Sequence, residues 1–311
     1  MTTLLKTIRM TGKGIHSGLP VDIVIKPSKK NGIFFRRVDI DKNLIPATYN
    51  NVGETKMRNT TIGNPNGAHV QTIEHLMAAL FISGVDSAVI DINGPETPIM
   101  DGSAELFLHK ILDVGTTGGK IRKIIVRKPV VAHTHEVRRD LPLVFRLKLW
   151  VMDKLSHRKS DGYVKLLPND GNCLDITATL VYPEKIIGAQ TYKYVFDGSK
   201  KSQNIFIKQI ARARTFGKYS EWEYLKSHGM GRGADETNVI ALNNDGDGTL
   251  NKLVWRDEFV RHKIIDAIGD MATSGGFVCG KLESYKGSHA LNNIVLKKLF
   301  SDASNYDIIE Q

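Results

Sequence analysis

The chain has little of what would staple it covalently or hold it in a bilayer. It carries 2 cysteines in 311 residues, Cys173 and Cys279, too few for a disulfide framework or an all-cysteine zinc site. No apolar run approaches the length of a membrane-spanning helix. The opening stretch from Met1 to Thr7 lacks an apolar segment ending in small residues, so no secretory signal is expected and the expected compartment is the cytoplasm. No zinc-finger spacing and no interleaving of aromatic with basic residues is found, which argues against nucleic acid as a partner. Low-complexity tracts and short-period repeats are absent as well.

What is present fits a globular protein. Hydrophobic residues make up 41% of the chain and charged residues 24%, a composition neither disordered nor membrane-like. The length suits two ordinary domains or one large one. A net charge of +10 calls for a polyanion: nucleic acid, anionic lipid or a phosphorylated substrate. The positive charge is spread, and is densest around Arg122-Lys123, Arg127-Lys128 and Arg138-Arg139.

Val21-Asp-Ile-Val-Ile, a turn at Asn31-Gly32 and Ile33-Phe-Phe predict a hairpin. Over Gln71 to Phe81 the apolar residues Ile73, Leu76, Met77, Leu80 and Phe81 recur at helical spacing, with Gly84 as the stop. Ala88 to Ile92 reads as a strand, and Ser103 to Val114 as a helix closed by Gly115. The pair Gly118-Gly119 and the basic stretch after it make the best boundary, dividing residues 1–119 from 120–311. Beyond it Ile124-Ile-Val, Phe145-Arg-Leu-Lys-Leu and the alternating run Leu174 to Leu180 predict strands. Asn204 to Arg214 and Glu258 to Met271 predict helices. Strand-rich then helical order, twice over, predicts α+β layers.

In the last of these helices His262, Asp266 and Asp270 are four residues apart and stack on one face, with Val260, Ile264, Ala267 and Met271 roughly opposite. A single His-x-x-x-Asp ordinarily marks an amphipathic helix with a solvated polar face. Glu74-His75 also lies off the apolar stripe of its helix, beside Ala78 and Ala79, which are small enough for close approach of another element. Glutamate next to a metal-binding histidine supplies a general base for a metal-bound water. Two histidines and an aspartate with one water make an open catalytic zinc site. Spacing alone does not join ligands that come from distant segments.

Thr72-Ile-Glu-His-Leu, Pro98-Ile-Met-Asp-Gly-Ser, Ala213-Arg-Thr-Phe-Gly, Phe259-Val-Arg-His-Lys and Ser288-His-Ala-Leu-Asn-Asn, with Gly12-Lys-Gly-Ile-His-Ser-Gly near the N-terminus, resemble the UDP-3-O-acyl-N-acetylglucosamine deacetylases. These are zinc enzymes of an early committed step in lipid A synthesis in Gram-negative bacteria. The blocks stand in the family's order across nearly the whole chain. The resemblance implies that His75, His262 and Asp266 hold Zn2+, although Fe2+ also suits two histidines and one carboxylate. It implies that Glu74 is the general base, and that His289, oriented and kept charged by Asp270, stabilises the oxyanion and protonates the leaving amine. Thr215 is implied to hydrogen-bond the tetrahedral intermediate.

Substrate contacts are implied for Lys263, Phe216 and His16. The segment of about 217–240 resembles the family's insertion that forms an apolar passage for the acyl chain, where Tyr219, Trp222 and Leu225 can share one helical face. The implied fold is two similar α+β domains, each a sheet layered with helices, with the active site between them. The implied partner is a UDP-linked acyl-aminosugar. A monomer is expected, with no nucleic acid, no transmembrane segment and at most peripheral contact with a membrane surface.

Three features depart from the family pattern. Residues from about 132 to 160 form a longer segment than expected, containing His133-Thr-His135, and read as a basic surface hairpin dispensable for chemistry. Tyr182 stands where the family often has a histidine before the proline, here Pro183. Arg232 and Asp235 stand where the pattern is more apolar or small; a charge lining an apolar passage is costly unless paired or wet, so both are expected to point outward or sit at its mouth. Two rival readings are a zinc amidohydrolase for another N-acyl sugar and a catalytically silent binding module of the same fold. The full set of ligand and proton-transfer residues argues against the second.

Overall fold

A computed structural model of the chain describes residues 1–40, 44–53, 59–137, 162–227 and 229–310. Its helices are α1 (Glu74–Ile82), α2 (Glu105–Val114), α3 (Thr134–Val137), α4 (Lys200–Gln209), α5 (Tyr219–Ser227), α6 (Glu258–Met271) and α7 (His289–Phe300). The first strands are β1 (Ile8–Lys13), β2 (Pro20–Pro27), β3 (Gly32–Arg37), β4 (Leu44–Pro46), the short pair β5 (Ile62–Gly63) and β6 (His69–Val70), and β7 (Ser87–Ile92). They build a five-stranded sheet in the order β1-β2-β7-β3-β4. The later strands are β8 (Arg122–Val126), β9 (Val130–His133), β10 (Tyr163–Leu167), β11 (Leu174–Val181), β12 (Ala189–Phe196), β15 (Phe277–Tyr285) and β16 (Tyr306–Glu310), with β13 (Phe216–Lys218) and β14 (Ile240–Leu242) as a separate parallel pair. In this seven-stranded sheet β12-β11-β15-β10-β9 run side by side, β8 joins β15, and β16 joins β8. The chain is thus an α+β fold of sheets and helices.

The hairpin expected between Val21 and Phe35 does not form. β7 stands between β2 and β3, antiparallel to the first and parallel to the second. The reason is burial. β2 alternates buried with exposed or half-buried positions, whereas β7 is buried on both faces at all but one position. Strands covered on both faces belong at the centre of a sheet. The helix expected over Asn204 to Arg214 begins earlier, where Ser199 caps α4 by accepting from Ser202 N at 3.1 Å. It stops at Gln209, so that the following residues can turn toward α6. The strand expected at Phe145 and the basic pair Arg138-Arg139 lie outside the described residues, as does most of the longer segment. His133, at the end of β9, and His135, in α3, stack at 5.5 Å.

Two helices differ from what a solvated polar face would give. All nine residues of α1 are buried, and twelve of the fourteen in α6. Polar side chains placed this deep must meet partners or ligands. α1 and α6 cross closely at Gly269, where an added Cβ would overlap the carbonyl oxygen of Glu74. Gly269→Ala is therefore expected to push the two helices apart and destabilise the fold by about 1–3 kcal/mol, the usual range for overpacking. A thermal melt within a degree of the parent would contradict this contact. Among the described residues no helix is long and apolar enough to cross a membrane.

Candidate active site

The start of α1 is set by an unusual backbone. Thr72 has φ +58°, a left-handed conformation that is strained for a β-branched residue. Its neighbours hold it there. Asn59 Nδ2 donates to Thr72 Oγ1 at 2.9 Å, Thr72 Oγ1 donates to Glu96 Oε1 at 3.0 Å, and Thr97 Oγ1 donates to Thr72 O. This turn aims Glu74 and His75 at α6.

There the side chains of His75, His262 and Asp266 converge, their ligand atoms all within 4.8 Å of one another. They form the only such metal-competent group among the described residues. His262 Nδ1 lies 3.0 Å from Ala213 O. A carbonyl only accepts, so Nδ1 carries the hydrogen and Nε2 keeps its lone pair for the cluster. Asp266 divides its oxygens: Oδ1 lies 3.3 Å from His262 Nε2 and 3.8 Å from His75 Nε2, while Oδ2 accepts from Lys263 Nζ at 2.7 Å. Two nitrogens and an oxygen, fixed from behind by a carbonyl and an ammonium, are a donor set that fits zinc or iron(II).

Electrostatics complete the fit. Burial pushes the His75 imidazole down to about 3, with nearby His262 adding to the effect. Burial likewise lowers His262. Both rings are thus neutral and able to ligate. Burial works against the Asp266 charge, yet His262, Lys263 and the other histidines together hold its carboxyl far below the usual range. Glu74 moves the other way: burial, then the charges of Asp266 and Asp270, lift it to about 7 against the pull of His289. Burial would depress His289, but Asp270 and then Asp266 and Glu74 outweigh it and raise the ring to about 9. Lys263 is likewise held charged, up to about 12, because Asp266 overcomes its burial.

His289, at the first turn of α7, places Nδ1 2.8 Å from Asp270 Oδ2 and Nε2 3.9 Å from Asp266 Oδ2. Asn292 Nδ2 donates to the same Asp270 oxygen at 2.7 Å. One residue of this network was not singled out by the sequence. Thr60, 2% exposed, donates its backbone N–H to Glu74 Oε2 at 3.0 Å and its hydroxyl to Asp270. An isolated threonine in Asn59-Thr60-Thr61 carries no motif that could have marked it.

Thr215 is half-buried in the loop between Ala213 and β13, and its backbone pairs with Gly102 and Ile240. Arg214 anchors that segment to the fully buried Glu258 at 2.9 Å. Phe216 lies edge-on to His262 at 6.3 Å and beneath Lys263 Nζ at 5.6 Å, with Tyr182 beside it at 6.0 Å. Tyr219 and Trp222 pack on each other at 5.9 Å in α5, a helix with no buried residue. His16 sits in a turn whose backbone donates to the buried Glu96, and its Nδ1 is buried without a hydrogen-bond partner. Its ring is depressed by burial, with Glu96 opposing. The backbone of that turn accepts from Arg232 N and Gly233 N. Arg232 is exposed and Asp235 pairs with Lys13.

Two neutral imidazoles and one carboxylate, with a second carboxyl and a charged histidine at their edge, suit a metal-dependent hydrolase. Comparison with known proteins makes this particular. The family described as UDP-3-O-acyl N-acetylglycosamine deacetylase matches residues 1–301, and the chain belongs to it. UDP-3-O-acyl-N-acetylglucosamine deacetylase of Neisseria meningitidis serogroup C (strain 053442) is 34% identical over 312 residues, covering 99% of this chain and 92% of that protein. The protein of the same name from a Nitratiruptor species is 36% identical over 309 residues, covering 99% of this chain and 93% of its own.

Proposed function

We propose that this chain hydrolyses the acetamide of UDP-3-O-acyl-N-acetylglucosamine in a zinc-dependent reaction. The products are acetate and UDP-3-O-acyl-glucosamine, an early committed step of lipid A biosynthesis. One observation carries the reading: a proton acceptor, Glu74, and a proton donor, His289, share a hydrogen-bonded network at the edge of the His75, His262 and Asp266 group. Zinc held by those three residues would acidify a water and polarise the acetamide carbonyl. Glu74 takes the proton of the attacking water. His289 has its Nδ1 committed to Asp270, so Nε2 stabilises the oxyanion and gives its proton to the leaving amine nitrogen. The Thr215 hydroxyl bonds the tetrahedral intermediate. Lys263 and Phe216 meet the sugar and phosphate side, His16 approaches the nucleotide-sugar, and Tyr219 and Trp222 wall the acyl passage.

In this reading residues 1–119 and 120–311 are two α+β domains with the site between them. It is supported by one sheet drawn from residues 8–92 and another drawn from 122–310. The chain acts in the cytoplasm as a monomer, touching a membrane surface at most peripherally, and its +10 charge suits a diphosphate substrate. Metal analysis and acetate release, measured on one purified sample, test the proposal. Zinc-loaded protein that deacetylates a free acetamido-sugar but not the UDP-linked substrate would defeat the substrate assignment.

The charge states predict a bell-shaped pH profile. Glu74 works ionised, so activity rises with pH through about 7, and earlier once a bound cation adds positive charge nearby. His289 works protonated, so activity falls as pH passes about 9. Asp270→Asn removes the charge that most raises His289, and the basic limb should move to lower pH. An unmoved limb would leave Asp270 a purely structural role.

Trp222→Ala tests the acyl passage. It should weaken binding of the acylated substrate by roughly one to two orders of magnitude, the scale of a large buried aromatic contact. An analogue without the acyl chain should be barely affected. Equal losses for both, at full zinc content, would show that α5 does not hold the chain.

A further inference from the structure

Thr60 touches both proton-transfer groups from a distant part of the chain. It lies 14 residues before Glu74, 210 before Asp270 and 229 before His289. Its hydroxyl oxygen is 3.1 Å from His289 Nδ1. Asp270, when ionised, can only accept, so the hydroxyl proton goes to Asp270 Oδ1. This leaves the Thr60 lone pairs facing Nδ1. The other Asp270 oxygen accepts from Asn292 Nδ2 and His289 Nδ1. One Nδ1–H is therefore shared between a carboxylate oxygen and the threonine oxygen, which fixes both the tilt of the ring and the direction of Nε2. The backbone N–H of the same residue holds Glu74 Oε2.

We infer that Thr60 is a positioning residue, a clamp that sets Glu74 and His289 relative to one another across the metal group. It touches neither substrate nor metal ligand and acts through the two groups that move protons. A buried hydroxyl with acceptor and donor roles both filled is also an efficient way to orient an imidazole that must turn its other nitrogen toward substrate. The inference rests on the deacetylase reading, and the experiment separates the two.

Thr60→Val keeps the shape and removes the hydroxyl bonds. Its metal content should equal wild type and KM should stay within about twofold, while kcat falls by about 10- to 100-fold, the cost of misplacing a proton-transfer group by a fraction of an ångström to an ångström. Thr60→Ser, which restores the hydroxyl, should recover most of kcat. A second readout needs no turnover: nitrogen-15 histidine NMR of wild type should show a His289 Nδ1–H proton protected from solvent exchange, and Thr60→Val should lose that protection. A Thr60→Val enzyme with wild-type kcat, a loss confined to KM, or a serine variant as impaired as the valine one would each overturn the clamp. If the valine variant does not fold, an unprotected Nδ1–H in wild type overturns it alone. Wild-type protein that releases no acetate defeats the proposed function instead, and the NMR result still decides the clamp.

Discussion

Glu74→Ala is expected to keep the metal and lose roughly two to four orders of magnitude in kcat, the usual contribution of a positioned proton-transfer group. Retention follows because Glu74 is outside the three-residue metal group. The loss is large because neither neighbouring carboxylate can replace it. Asp266 is held ionised at very low proton affinity and is tied to Lys263. Asp270 is occupied by Thr60, His289 and Asn292. Glu74→Gln is the sharper test, since its amide oxygen still accepts from Thr60 N and only the basicity is lost. Steady-state kinetics beside metal analysis decide the matter. Near-normal turnover in either variant would remove Glu74 from the role of base.

Removing a ligand should act more broadly. His75→Ala and His262→Ala each take one donor of three, and a two-donor remnant is a poor site. Metal occupancy should fall in both, and turnover should fall to that of chelator-treated protein. Added zinc should restore the chelated wild type and fail to restore the variants at the same concentration. Asp266→Ala is the less clean choice. It leaves the half-buried Lys263 without its carboxylate partner, and removing one partner of such a pair is destabilising. That variant is expected to lose stability as well as metal. Full occupancy in all three would dismiss the centre.

Much of this arrangement was legible in the chain, and unevenly so. The bounds of α6 follow directly from its apolar period, Glu258 to Met271 in both readings. The period says nothing about what faces the polar side. It records which residues are apolar, and a solvated face and an internal catalytic one look alike. The order of β2, β7 and β3 was misread because a local turn signal at Asn31-Gly32 cannot reveal a strand arriving later to take the space between. The ligand set came through the resemblance of several sequence blocks, since His75 and His262 stand on different helices and no spacing relates them. Thr60 escaped both routes. Half of its contribution is a backbone N–H, which every residue but proline owns, and the other half exists only once β5 and α1 have folded beside α6 and α7.

The long reach of that network has a consequence for the order of assembly. Thr60 and His289 are 229 residues apart, and α1 is buried partly by α6, which is made near the end of synthesis. Contacts of such sequence separation close late, after local elements have formed. Until then the first half presents an apolar helix covered by α2 but not by α6, with Glu74 and His75 at its tip, a surface that invites aggregation. A metal ion can meet its three donors together only in the completed chain. Binding energy of that kind is added to the finished state alone. Metal supply would then govern how much of the newly made protein survives as folded enzyme, in addition to how fast each molecule turns over.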